Sequence, residues 1–266
     1  MTRPSPILRT IALALYAFMY APILVVVVFS FNAARDGFLW KGFSTQWYSK
    51  LLENESARAA LTNTLLLAGI STLISTVLGT MLAVGLQRYS FPGKKLFSWL
   101  MYVPVVIPDI VMAVAIFLFF TMAQQWLGLF QLGLTTMVIA HVTFQIPFVA
   151  IVVRSRMAGM DPALEEAAFD LGASPRQTFW RVTFPLILPG VLAGAMLAFT
   201  LSLDDFIVSF FTSGPGDQTL PILIYSSVKR GVTPEINALS TLIVLASVVG
   251  TVGVTILQRR REATPG

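Results

Sequence analysis

The chain has 266 residues, 56% of them apolar and only 12% charged, with a mean hydropathy of +0.77 and a formal net charge of +5. A soluble domain carries roughly twice that charged fraction, which excludes an ordinary soluble protein. The chain has no cysteine, which excludes a disulfide framework and a thiolate metal site.

Six apolar runs are each long enough to cross ~30 Å of hydrocarbon, which takes about 20 helical residues. The first is Ile7–Phe29. Its flank is basic like a signal peptide's, but the run is longer than a signal core, and Asn32-Ala33-Ala34 is a poor cleavage site, so it is read as a retained helix. The segment after it holds Trp40, Phe43, Trp47 and Tyr48, rings suited to the outer membrane interface. Leu61–Leu86 is the second run. Beyond it, Gly93-Lys94 is the chain's only Gly-Lys pair, with Arg88 in place of a first glycine and Lys95 in place of a hydroxyl. No phosphate-binding loop is present.

The third run, Leu96–Met122, contains Pro104, Pro108 and Asp109. At ~1.5 Å per residue, Asp109 falls about 20 Å along it, near mid-membrane. Proline within a span frees carbonyls that, with the carboxylate, would favour a passing ammonium. Tyr102 and Trp99 are either cation–π partners or packing and interface anchors. The loop Ala123–Leu134 carries no Lys or Arg. The fourth run, Thr135–Val153, holds His141, the sole histidine. It is read as a residue hydrogen-bonded inside a helix bundle rather than a proton relay, and one histidine excludes a His-x-x-x-His metal site.

A charged island follows, residues 154–185. Asp161-Pro162 is an N-cap followed by a residue suited to the first helical turn. Gly172 is placed to close that short helix in the left-handed conformation. Ser174-Pro175-Arg176-Gln177 carries a capping-box pattern for a second helix. The expected shape is helix, glycine corner, helix.

The fifth run, Leu186–Phe211, includes Asp204 and Asp205 about 27 Å along it, close to the outer mouth. Successive helical residues point about 100° apart, so at most one of the two is expected to line a path. They are either cargo contacts or caps for the end of the span and the Thr212–Gly216 turn. The sixth run is Ala238–Leu257. No Lys or Arg lies in a span core to neutralise Asp109, Asp204 or Asp205, and unneutralised acids at such depth usually face a cavity or partner. With the N-terminus inside, the inner segments hold Arg3, Arg9, Arg88, Lys94, Lys95, Arg154, Arg156, Arg176, Arg181, Arg259, Arg260 and Arg261. The outer ones hold only Arg35, Lys41, Lys50, Arg58, Lys229 and Arg230. That asymmetry places both termini and the charged island in the cytoplasm.

Within the island, Glu166-Ala167-Ala168 is followed by Gly172 and then by Val182-Thr183-Phe184-Pro185. This resembles the Glu-Ala-Ala…Gly…Ile-x-Leu-Pro loop of binding-protein-dependent ATP-binding-cassette (ABC) importer permeases, with Val182 and Phe184 standing where Ile and Leu are usual. The stretches Leu201–Gly216, Thr219-Leu220-Pro221, Pro234–Ala238, Tyr20-Ala21-Pro22, Ser30-Phe31-Asn32 and Val103–Asp109 are similar to the polyamine (spermidine/putrescine) branch. Within that branch the chain most resembles the second of two non-identical permease subunits.

The resemblance implies an all-α membrane protein: one six-helix domain over residues 1–266, of the type I importer fold, with a cytoplasmic coupling helix. It implies a bacterial inner-membrane protein embedded in lipid, paired with a second permease, two copies of a cytoplasmic ATPase and an extracytoplasmic solute-binding protein. The chain itself would be no enzyme and hold no cofactor, ATP and Mg being bound by the ATPase. Nucleic acid is not an expected partner. The coupling helix would dock on the ATPase through Leu164, Phe169 and Leu171, with Glu165, Glu166 and Asp170 as a polar rim. Ala167 and Ala168 would allow close approach, and Gly172 would set the corner. Asp109, Asp204, Asp205 and Tyr102 are the candidate substrate path. A permease for another small solute, or a secondary transporter needing no ATPase, is the alternative.

Overall fold

The computed structural model describes residues 5–35 and 39–262, with side chains, apart from that of Pro6, through Val249. Arg3 lies outside the described residues, as do the side chains of Arg259, Arg260 and Arg261. Two compact units form, one from residues 1–58 with 223–266 and the other from residues 59–222.

In chain order, α1 is Pro6–Phe29 and α2 is Gln46–Glu53. Ser5 opens α1 by accepting the Leu8 N–H at 3.3 Å, a side-chain cap for an otherwise unpaired donor. The segment between α1 and α2 is organised by Asn32. Its side-chain oxygen accepts the N–H groups of Ala34 and Lys41, and its amide nitrogen donates to the Leu39 carbonyl at 2.8 Å. Trp47 Nε1 donates to the Asn32 carbonyl at 2.7 Å, and the hydroxyls of Tyr48 and Ser30 lie 2.7 Å apart. Trp47 is thus buried rather than an interface ring, because its N–H finds a partner inside the fold. Trp40 and Phe43 stay exposed.

The other unit begins in α3, Glu55–Arg88. Next come α4, Lys94–Leu100, α5, Val103–Val106, and α6, Asp109–Leu127. The expected third span from Leu96 is therefore not one helix. Ile107 is extended (ψ 134°) before Pro108, as a residue preceding proline is driven to be. The continuous helix starts at Asp109, which is its first residue and not a mid-span acid.

Then follow α7, Leu134–Ala158, α8, Ala163–Asp170, and α9, Pro175–Thr178. A π-turn, Phe179–Thr183, carries α9 into α10, Phe184–Asp204. The fifth span therefore begins earlier than expected, at Pro175, and stops at Asp204 instead of running to Phe211. The last elements are α11, Ile207–Thr212, α12, Leu220–Arg230, and α13, Pro234–Glu262. In the terminal unit, α13 packs on α1 and α2, and Asn54 donates to Glu235 Oε1 at 2.6 Å. Among the described residues five helices are long and apolar enough to cross a membrane: Ile7–Phe29, Glu55–Arg88, Asp109–Leu127, Leu134–Ala158 and Pro175–Asp204. The sixth expected span falls in α13, whose described apolar part is Pro234–Val249.

Helix α7 is the axis of its unit. It packs on α10 and α3 through Val149, Ala150 and Val153, joined by Ala83, Ile187 and Val191. A second cluster of Ala113, Phe120, Ala140, Phe144 and Val208 joins it to α6 and α11. Lipid tails are as apolar as leucine, so association in a bilayer depends on close backbone approach and interhelical hydrogen bonds. Gly79 supplies such an approach: a Cβ there would lie 2.7 Å from Val149 Cβ and 2.9 Å from the Ile146 carbonyl. Gly79→Val is expected to destabilise the chain by about 1–3 kcal/mol through overpacking, read as a lower thermal midpoint in detergent. Gly69→Ala, which faces open space, should leave that midpoint unchanged.

Candidate functional site: a coupling loop and an acidic cavity

The charged island folds largely as its local signals specify. Asp161 Oδ1 accepts the Ala163 N–H at 3.0 Å, but α8 starts one residue later than expected, at Ala163, with Pro162 in the cap position. Gly172 takes φ +80°. Its N–H reaches the Phe169 carbonyl at 2.9 Å, and the Ala173 N–H reaches the Ala168 carbonyl at 3.0 Å. Those two bonds form a Schellman closure, which satisfies carbonyls left orphaned at the end of α8. Ser174 and Gln177 then make both bonds of the capping box, at 2.9 and 3.3 Å. The result is helix, glycine corner, helix.

The predicted contact residues divide by exposure. Leu164, Phe169 and Leu171 are exposed, Leu171 at 90%. Glu166, Ala167 and Asp170 are exposed and Ala168 half-buried. Glu165 departs from the polar rim assigned to it. Its carboxylate turns back onto the bundle, pairs with Arg88 at the end of α3, and accepts the Thr183 hydroxyl at 2.6 Å.

The second constellation is a cavity of about 460 Å³. It is lined by Asp109, Asp204 and Asp205, together with Pro104 and the rings of Phe144, Phe148 and Phe206. All three predicted acids meet there, although they come from two separate helix ends. Both Asp204 and Asp205 line it, against the expectation of one. The 100° rule applies only inside a helix, and α10 ends between them, with Asp205 extended at ψ 122°. Tyr102 is not among the lining residues; it caps the start of α5 and is half exposed.

The three acids differ in what holds them. Asp205 accepts the N–H groups of Val208 and Ser209, at 3.3 and 2.7 Å, and so caps α11. It also lies 3.3 Å from His141 Nε2. His141 is fully buried. Its Nδ1 is 2.8 Å from the Ser202 hydroxyl and its Nε2 3.0 Å from that of Ser209. The polar chain continues inward: Ser202 lies 3.4 Å from Ser71, and Gln145 donates to Ser71 and accepts from Ser75. His141 is thus the hydrogen-bonded bundle residue its sequence context suggested. Asp109 and Asp204 are exposed and line the cavity; among the described residues neither is held by another side chain, and Asp204 bonds only its own backbone N–H. Among the described residues no Lys or Arg forms an ion pair with any of the three acids.

Sequence reasoning missed the His141–Asp205 and Arg88–Glu165 contacts, which join residues 64 and 77 positions apart. No local spacing signals such pairs. The lining phenylalanines were equally invisible, since Phe144 and Phe148 read as ordinary span residues.

Residues 75–263 match the family described as binding-protein-dependent transport system inner membrane component. The chain is 43% identical to the spermidine/putrescine transport system permease protein PotC of Shigella flexneri, over 95% of this chain and 94% of that one. It is 42% identical to the putrescine transport system permease protein PotI of Escherichia coli (strain K12), over 94% and 89%. In fold it superposes on a chain of a bacterial ABC transporter involved in import of the acidic polysaccharide alginate, with a TM-score of 0.75 at 20% identity, covering 97% of this chain and 95% of that one. The chain therefore belongs to the inner membrane components of binding-protein-dependent transport systems: it is a permease subunit of an ABC importer and not itself an enzyme.

Proposed function

We propose that this permease carries polyamines, putrescine or spermidine, into the cytoplasm of a bacterium by alternating access. The observation that carries the cargo assignment is the convergence of Asp109, Asp204 and Asp205 on one cavity where, among the described residues, no Lys or Arg pairs with them and only Asp205 has a basic neighbour, His141. A protonated amine supplies the missing positive charge, and Phe144, Phe148 and Phe206 offer apolar surface for the methylene chain between amines. The relatives named for spermidine and putrescine support the same reading. The fold alone does not decide cargo charge, since the structural neighbour takes part in import of an acidic polysaccharide. The acids therefore carry the distinction. Asp109 and Asp204 are the cargo contacts. Asp205, already bonded to His141 and the α11 amides, shapes the cavity.

The energy comes from elsewhere. ATP and Mg bind two copies of a cytoplasmic ATPase, the partner that the family relationship implies, and the lack of a phosphate-binding loop in this sequence accords with that. Helix α8 seats on that ATPase through Leu164, Phe169 and Leu171, rimmed by Glu166 and Asp170, with Ala167 and Ala168 keeping the approach close. A second permease completes the pathway, and a solute-binding protein delivers cargo from outside. Both termini and α8 face the cytoplasm, as the distribution of Lys and Arg directs.

Affinity capture of the chain from membranes tests the class. An ATPase recovered in stoichiometric amount, and lost when Leu164 and Leu171 are both changed to Asp, is the expected result. Transport by the chain alone, driven by an ion gradient, would replace this reading with that of a secondary carrier.

A further inference from the structure

Three arginines lace the end of the α3–α7–α10 bundle that carries the charged island. Arg154 Nε approaches Gln87 Oε1 at 3.4 Å, joining α7 to α3. Arg156 Nε donates to the Leu186 carbonyl at 3.2 Å, joining α7 to α10. Arg88 alone reaches α8. Its guanidinium donates to the Glu165 carboxylate and, at 2.6 Å, to the Thr183 hydroxyl, which in turn donates to Glu165. The three side chains close a triangle whose corners belong to α3, α8 and the π-turn leading into α10.

That triangle matters because of how α8 is otherwise held. Along the backbone it joins α10 through the Gly172 corner and α7 through residues 159–162. Its covalent route to α3 is long, since α3 ends 75 residues before α8 begins. Arg88 and Glu165 are only 25% and 20% exposed, and Thr183 is fully buried. Water thus still reaches the ion pair, while the Thr183 hydroxyl that joins it is buried. A partly exposed pair of this kind contributes little to folding stability, so its consequence is geometric.

We infer that Arg88 is a positioning residue that fastens the coupling helix to the end of the α3 span, so that displacement of α8 reaches α3 as well as α10. The inference rests on the proposed docking of α8 to an ATPase. Without the Arg88 link, α8 moves α10 through the glycine corner while α3 lags, and each ATP cycle moves less cargo.

A charge-reversal cycle in the reconstituted complex tests this, reading labelled putrescine delivered per ATP hydrolysed. Arg88→Glu and Glu165→Arg are each expected to lower that ratio about fivefold or more, and the double exchange to restore it to within about twofold of wild type. Restoration is possible because the Thr183 hydroxyl both donates and accepts, so the triangle closes in either polarity. Glu165→Gln, nearly equal in volume, serves if the reversals fail to assemble: a ratio lowered about twofold with an unchanged complex supports the link. Single variants with the wild-type ratio, a double exchange no better than the singles, or an unaltered Glu165→Gln would each overturn it. Gly172→Val separates the two layers. If that variant also keeps the wild-type ratio, the role of α8 in transmitting ATPase movement falls; if it uncouples while the Arg88 variants do not, only the Arg88 inference falls.

Discussion

Gly172→Val is expected to leave ATP hydrolysis running in the assembled complex while cutting uptake at least about tenfold. The reason is backbone strain alone. Gly172 sits at φ +80°, and a Cβ there would meet no atom within 4 Å, so crowding plays no part. An L-residue in this region is disfavoured by roughly 1–2 kcal/mol, and a β-branched one by more. Relaxing φ breaks the two closing bonds, from Gly172 to Phe169 and from Ala173 to Ala168, and changes the angle at which α8 meets α9. The docking surface can still bind, but its movement is no longer delivered in the right direction. Gly172→Asn is the control, because asparagine tolerates the left-handed region, and most uptake should survive it. Equal uptake in the valine and asparagine variants would show that the corner's geometry is not used.

Asp109→Asn and Asp204→Asn are each expected to lower polyamine uptake about tenfold or more, with no shift in thermal midpoint. A hydrogen bond to a charged partner is worth about 1.5–3 kcal/mol, and about 1.4 kcal/mol corresponds to a factor of ten. Among the described residues neither carboxylate is held by another side chain, and that of Asp204 meets only its own backbone N–H, so removing its charge leaves packing intact. Asp205→Asn should behave differently. Its carboxylate accepts two α11 N–H groups and faces His141, so both uptake and the thermal midpoint should fall. The contrast between the two classes is the content of the prediction. Wild-type uptake in the Asp109 and Asp204 variants would remove them from the substrate path, and an unchanged midpoint for Asp205→Asn would remove its structural role.

What could be read from the sequence was what is local. The Asp161 bond ahead of α8, the left-handed Gly172 and the Ser174–Gln177 box each depend on residues within a few positions; the latter two form as their patterns specify, and the first opens α8 one residue later than expected. Long apolar runs gave the helices for the same reason. Reading failed where tertiary contact or chain breaks intervene. Pro108 was read as freeing carbonyls within one continuous span, but its effect on Ile107 ends one helix and starts another at Asp109. The rule that separates Asp204 from Asp205 by helical geometry failed because the helix stops between them. Glu165 looked like one of three equivalent surface acids until Arg88, far away in the chain, gave it a partner. Tyr102 was one candidate for cation–π contact, with packing or interface anchoring as the other reading, and it does not line the cavity.

The most direct test of the account is uptake of labelled putrescine and spermidine into vesicles holding this chain with its companion permease, the ATPase and the solute-binding protein. ATP-dependent accumulation of either amine, lost when the binding protein is withheld and reduced by Asp109→Asn, is the predicted result. Steady ATP hydrolysis stimulated by the binding protein, with neither amine accumulating, would contradict the cargo assignment and leave the acidic cavity to another solute.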